Sequence, residues 1–265
     1  MKLPIVQVDA FAERAFTGNP AAVCLLASSL PDASLLAIAG EMNLSETAFL
    51  LARTDGSYDL RWFTPAVEVD LCGHATLASA HVLWQDGHLA PDADARFHTR
   101  SGELGARRID GRIVLDFPAQ PAHAAPPPAG LLEALGVSQP RFVGRNTTDW
   151  MVEVENSATV RGLAPDFSRL GTVEARGVMV TAPGDDGGID FVSRFFAPAS
   201  GIDEDPVTGS AHCCMGPFWA ERLGRTSLVA RQLSARGGTV HVEVAGARVR
   251  LGGTAVTVMR GELEF

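Results

Sequence analysis

Arg61-Trp62-Phe63-Thr64-Pro65-Ala66 returns later in the chain as Arg194-Phe195-Phe196-Ala197-Pro198-Ala199. Each is an aromatic strand end stopped by a proline, which fixes its own φ and removes a ladder donor. Each runs into a polar, acidic loop, and each loop leads to a small-residue turn that opens an apolar helix. The turn is Cys72-Gly73-His74-Ala75-Thr76 in the first case and Thr208-Gly209-Ser210-Ala211-His212 in the second. A hairpin signal follows each helix. Residues 106–109 and 112–115 flank Asp110-Gly111, a preferred type I′ pair, and 240–244 alternates cleanly before returning after Ala245-Gly246. Three features recurring in one order mark a duplicated architecture.

Outward from the repeat, strand patterns cover 5–11, 21–26, 48–53, 58–63, 150–155, 177–182 and 190–196. Short helices are expected over 31–39 and 131–135. The helices after Gly73 and Gly209 are small and apolar on every side, as buried helices are. The proline-rich stretch around 120–128 has no periodicity and reads as a connection. The expected organisation is a first half over 1–119, a linker over 120–128 and a second half over 129–265. The fold class is α+β, two pseudo-symmetric halves, each a curved, mainly antiparallel sheet wrapped around one central helix.

Composition narrows the partners. The chain has 265 residues and a formal net charge of −9, with no local basic excess, which argues against nucleic acid. No apolar run approaches the ~20 residues of a membrane helix, and the start reads as a first strand and not as a signal peptide. Cys24, Cys72, Cys213 and Cys214 show no disulfide spacing, so reduced thiols and a cytoplasmic location are expected.

A helix amino terminus presents unpaired N–H groups and the positive end of its dipole. Two glycine-led helix starts, facing each other across a pseudo-twofold axis, would hold a small carboxylate substrate and acidify its neighbouring carbon. That is proton-transfer chemistry needing neither cofactor nor metal.

The runs Phe16-Thr17-Gly18-Asn19-Pro20, Asn43-Leu44-Ser45-Glu46-Thr47, Cys72-Gly73-His74-Ala75-Thr76 and Glu204-Asp205-Pro206-Val207-Thr208-Gly209-Ser210 together resemble the PhzF-like family of phenazine-biosynthesis isomerases. The resemblance spans nearly the whole chain and implies the diaminopimelate-epimerase-like fold. It also implies Glu46 as acid/base, with His74 and Asp205 as its catalytic companions and Ser210 at the site, where the Gly73 and Gly209 amides of the two helix starts would join Ser210 in binding the substrate. Glu46 would take a proton from one carbon and return it on the same face, shifting a double bond; near neutral pH this calls for a partly desolvated carboxyl. Family likeness also carries the expectation of a homodimer. Ser210 as a helix cap uses the same geometry as anion binding and stays open.

Three other readings compete. A two-base racemase or epimerase of the same fold would use Cys72, yet no second thiol stands at the matching position. A zinc site from Cys72, His74, His212 and Cys213 lacks paired ligand spacing. A non-enzymatic partner-binding module would have no need of Glu46, His74 and Asp205 together.

Overall fold

The computed structural model describes residues 2–185 and 187–265; Met1, which opens the expected first half, lies outside the described residues. The chain divides into two compact units, one of residues 1–116 with 252–265, the other of residues 117–251.

The first unit begins with β1 (Lys2–Ala10), β2 (Asn19–Leu26), α1 (Asp32–Met42), β3 (Glu46–Ala52), β4 (Tyr58–Phe63) and β5 (Glu68–Val69). It continues through α2 (Gly73–Gln85), β6 (Ala95–Thr99), β7 (Gly102–Ile109) and β8 (Arg112–Pro118). The second contains β9 (His123–Ala124), α3 (Leu131–Leu135), β10 (Phe142–Arg145), β11 (Asp149–Glu153), α4 (Ser157–Gly162) and α5 (Phe167–Leu170). After these come β12 (Gly177–Pro183), β13 (Phe191–Ala197), β14 (Ile202–Asp205), α6 (Gly209–Leu223), β15 (Ser227–Gln232), β16 (Gly238–Ala245) and β17 (Arg248–Gly253). The last strand, β18 (Ala255–Glu264), pairs antiparallel with β1 from Lys2↔Glu264 to Ala10↔Ala255. The expected second half ran to residue 265; the chain end groups with the first unit instead, because it closes the free edge of β1. The expected linker likewise supplies β9, which pairs with β10.

Strand pairing repeats step for step. In the first unit β1–β2 is antiparallel, β2–β3 parallel, β3–β4 and β4–β5 antiparallel, β4–β6 parallel and β6–β7 antiparallel. In the second the same sequence runs β10–β11, β11–β12, β12–β13, β13–β14, β13–β15, β15–β16. Registers fix which residues correspond. Phe63 stands opposite Glu68 and Phe196 opposite Glu204. Arg61 grips Glu68 through two nitrogens and lies over Phe63, as Arg194 grips Glu204 and lies over Phe196. Because Thr47 faces Phe63 and Val178 faces Phe196, the residues just before them, Glu46 and Gly177, are counterparts.

The two glycine-led helices are the buried ones expected. In α2, residues 74–80 and 82–84 are shielded, and the helix packs on β1, β2, β3, β7 and β18. In α6, residues 211–216 are buried, and a Cβ at Gly216 would stand 2.8 Å from Val242 Cγ1, so glycine there lets the helix lie close on β16. Asp110 and Gly111 take φ of 50° and 77°, the type I′ conformation anticipated between β7 and β8. Trp62 and Phe196 are core residues, 1% and 0% exposed.

Candidate active site

Glu46 is the first residue of β3, and the parallel register with β2 sets it beside Ala21. His74 is the second residue of α2, where the helix start directs its ring back toward the sheet. His74 Nε2 lies 3.1 Å from Glu46 Oε2, with the histidine side chain 6% and the glutamate 18% exposed. The two atoms meet off the hydrogen-bond axis, and neither has a hydrogen-bond partner among the described residues. Two buried polar atoms in that state have capacity left for a ligand, since catalytic hydrogen bonds commonly tighten only around substrate. On its other side the ring contacts Asn19 Nδ2 at 3.2 Å and Cys72 Sγ at 3.6 Å, both through Nδ1. Burial disfavours the charged ring, but the neighbouring Cys72 and Glu46 favour it more strongly and raise its pKa well above the ordinary value.

Cys72 is the N-cap of α2, and its Sγ is held in the same cluster. Burial, reinforced by the charge of Glu46, pushes its thiol up to about 11, so it is protonated at neutral pH and a poor base. Glu46, Cys72 and His74 each offer one ligand atom within 4.8 Å of the others, and they are the residues here that could hold a metal ion. A soft divalent ion would need that thiol ionised, against the push of its surroundings. His212 and Cys213, the other half of the sequence-stated zinc set, are fixed inside α6, with His212 Nδ1 2.7 Å from Thr208 O.

The second unit builds a different group at the matching place. Thr208, the N-cap of α6, donates its hydroxyl to Asp205 Oδ2 at 2.5 Å, and its amide donates to Gln232 Oε1 at 2.9 Å. Gln232 Nε2 in turn donates to Asp205 O at 2.6 Å. Asp205, 9% exposed, is thereby fixed at the end of β14. Ser210 Oγ accepts from Arg176 Nη2 at 2.8 Å, and Arg176 grips the buried Asp149 through Nε and Nη2. Thr208 makes no side-chain capping hydrogen bond, and at α2 the Cys72 sulfur meets the Ala75 amide, so the leading amides at Gly73 and Gly209 are not taken by an N-cap side chain.

The sequence-derived residues therefore fall in two sets. Glu46, Gly73 and His74 come together in the first unit, and Asp205, Gly209 and Ser210 in the second. Ser210 is not a helix cap: Thr208 holds that position, and the serine hydroxyl is engaged by an arginine. Arg176 and Asp149 were missed. Only the repeat register, which puts Arg176 immediately before the counterpart of Glu46, could have pointed to the arginine. Asn19, within the run Phe16-Thr17-Gly18-Asn19-Pro20, takes its place through its contact with His74.

The family model described as phenazine biosynthesis-like protein, PhzC-PhzF, matches residues 8–261. An uncharacterized isomerase of Pseudomonas aeruginosa is 52% identical over the full length of both chains. Another, from Halalkalibacterium halodurans, is 50% identical over 99% of each. The crystal structure of a PhzF-family protein from Enterococcus faecalis superposes with a TM-score of 0.94 at 44% identity, covering 100% of both chains. A hydroxyproline epimerase of Agrobacterium vitis, at 12% identity and a TM-score of 0.59 over 99% of this chain and 92% of its own, shares the fold alone. The fold is thus the α+β epimerase-like one, and among the described residues no helix is long and apolar enough to cross a membrane.

Proposed function

Since this chain belongs to the PhzC-PhzF family of phenazine biosynthesis-like proteins and is an isomerase, we propose that Glu46 is its acid/base and that it moves a proton and a double bond in a small carboxylate-bearing substrate. The observation that carries the reading is the shielded contact of Glu46 Oε2 with His74 Nε2, 3.1 Å apart beside a glycine-led helix start.

The chemistry follows from their positions. Glu46 takes a proton from a carbon next to an electron-withdrawing group and returns it to another carbon of the same substrate on the same face. His74, its ring charge favoured by Glu46, steadies the carboxylate before proton pick-up and donates to substrate oxygen or nitrogen as negative charge develops. The leading amide at Gly73 lowers the energy of that charge. The second unit's own group, Asp205 with Ser210 and the Gly209 amide, offers an acceptor for an amino or hydroxyl group and donors for a carboxylate. No metal or cofactor enters the scheme. The four free cysteines fit the cytoplasm, and a homodimer goes with the family likeness.

The fold shared with an amino-acid epimerase, together with Cys72 at a helix start, favours one alternative, two thiols acting on opposite faces. Against it, the matching N-cap is Thr208, its hydroxyl tied to Asp205, and Cys213 and Cys214 are buried within α6.

Incubation with a panel of small cyclic and acyclic amino and hydroxy acids in deuterated water tests the proposal. Deuterium enters carbon positions of at least one acid, and Glu46→Gln abolishes the uptake. Uptake that survives Glu46→Gln and stops with Cys72→Ala overturns it.

A further inference from the structure

Arg176 has no part in the proton transfer, yet its whole length is fixed. Its amide donates to Thr148 O at 2.8 Å, and its carbonyl accepts from Ser200 Oγ at 2.9 Å. Nε donates to Asp149 Oδ1 at 2.9 Å, Nη2 donates to Asp149 Oδ2, and the guanidinium lies 5.5 Å from the centroid of Phe195. The carboxylate it grips has no exposed side-chain surface. An ion pair needs no more than that. Nevertheless Nη2 also donates to Ser210 Oγ at 2.8 Å, and Nη1 makes no hydrogen bond among the described residues.

Arginine has five N–H donors and no acceptor. Ser210 Oγ must therefore accept from Nη2, and its own proton is directed away from the guanidinium. A free serine hydroxyl can rotate to donate or accept; this one has a lone pair taken by the guanidinium, which turns its proton toward another acceptor. The fold itself does not demand an arginine here, since the corresponding position in the first unit, just before Glu46, is Ser45.

We propose that Arg176, locked by Asp149, is a positioning residue that fixes Ser210 as a hydrogen-bond donor, so that the start of α6 selects a carboxylate over a donor group of the substrate. This rests on the assignment of Ser210 to substrate binding made above. The uncapped amides of α6 and the open Nη1 of Arg176 present further donors to the same anion.

The test titrates the full-length protein with 2-aminobenzoate, followed by its fluorescence, and with the neutral 2-aminobenzamide. Because Arg176→Met alone would strand the Asp149 carboxylate, the main variant is Asp149→Asn/Arg176→Met, with folding checked by circular dichroism. Wild type binds the acid more tightly than the amide. Ser210→Ala and Asp149→Asn/Arg176→Met each weaken the acid about tenfold, the scale of one hydrogen bond to a charged group, and the amide less than threefold. Combining all three substitutions costs less than a further twofold, because arginine acts through serine. Arg176→Lys, which keeps the charge and a donor, recovers most of the affinity. Losses that multiply, unchanged acid binding in the arginine variant, or a wild type without preference for the acid overturns the proposal. The proton-transfer reading fails on a different signal, the deuterium uptake of Glu46→Gln, so the two failures are distinguishable.

Discussion

The starts of α2 and α6 are the same piece of backbone used twice. Both helices begin with glycine after an extended N-cap, Cys72 with φ of −143° and Thr208 with φ of −111°, and both follow a short strand carrying the partner of an arginine. Their side chains diverge. Around α2 stand a carboxyl, an imidazole and a thiol, all able to exchange protons. Around α6 stand an arginine, a serine, a threonine and two aspartates, bonded to one another in fixed donor and acceptor roles. The contrast is sharpest at one pair of positions: the counterpart of Glu46 is Gly177, where a Cβ would come within 2.3 Å of Phe195 Cζ and 3.0 Å of Phe196 O. A side chain there would have to displace the Phe195 ring. Repetition of a backbone thus fixes where groups can stand, and the packing beneath each position decides which side chains stand there.

The largest effect that sharpens this division is kinetic. His74→Asn should lower the rate of carbon–deuterium exchange by about 10²- to 10³-fold at saturating substrate. Ser210→Ala should act mainly on substrate affinity, and a KM-against-kcat comparison of the two variants separates the roles.

Next comes pH, to which the units should respond in opposite directions. His212, pressed down to about 4 by burial, is neutral in the fold, whereas its unfolded form takes up a proton below about 6.5. Stability from this group is complete above about 6.5 and falls as pH drops toward 4, by about 3 kcal/mol in all. His74, raised by Cys72 and Glu46 despite burial, stabilises fully below about 6.5 and loses that contribution as pH rises through its higher folded value. Urea unfolding across pH 5 to 9 reads both: His212→Phe should flatten the acid limb and His74→Asn the alkaline limb. A common response of the two variants would break the comparison.

A smaller effect tests the steric argument. Gly177→Ala should cost about 1–3 kcal/mol in denaturant unfolding, the range for overpacking. No cost would mean that the second unit can accommodate a side chain at the position of Glu46. Smallest of all, the proposed Glu46 step predicts that Cys72→Ser changes exchange less than about fivefold and that dialysis against a chelator leaves it unchanged.

Local signals made much of this molecule legible. The aromatic-proline strand ends, the Asp110-Gly111 turn and the all-apolar helices gave the repeat, and strand 58–63 and helix 131–135 were read to the residue. Glu46, by contrast, became a candidate only through motif resemblance, since a glutamate at a strand start is unremarkable chemistry. The pairing of β18 with β1 was invisible because it joins opposite ends of the chain, and two-residue strands such as β5 and β9 are too short to show a period. Arg176 and Asp149 were hidden for another reason. They are far apart in sequence and acquire meaning only when the parallel register of β11 and β12 brings Asp149 level with Gly177.

The fate of the abstracted hydrogen tests the central claim most directly. A substrate identified in the exchange panel, deuterated at the carbon that loses its proton, is converted in ordinary water in a single turnover. One carboxyl acting on one face carries part of that deuterium into the product, and Glu46→Gln stops conversion. Product containing only solvent hydrogen, formed at an undiminished rate by Glu46→Gln, would contradict the account.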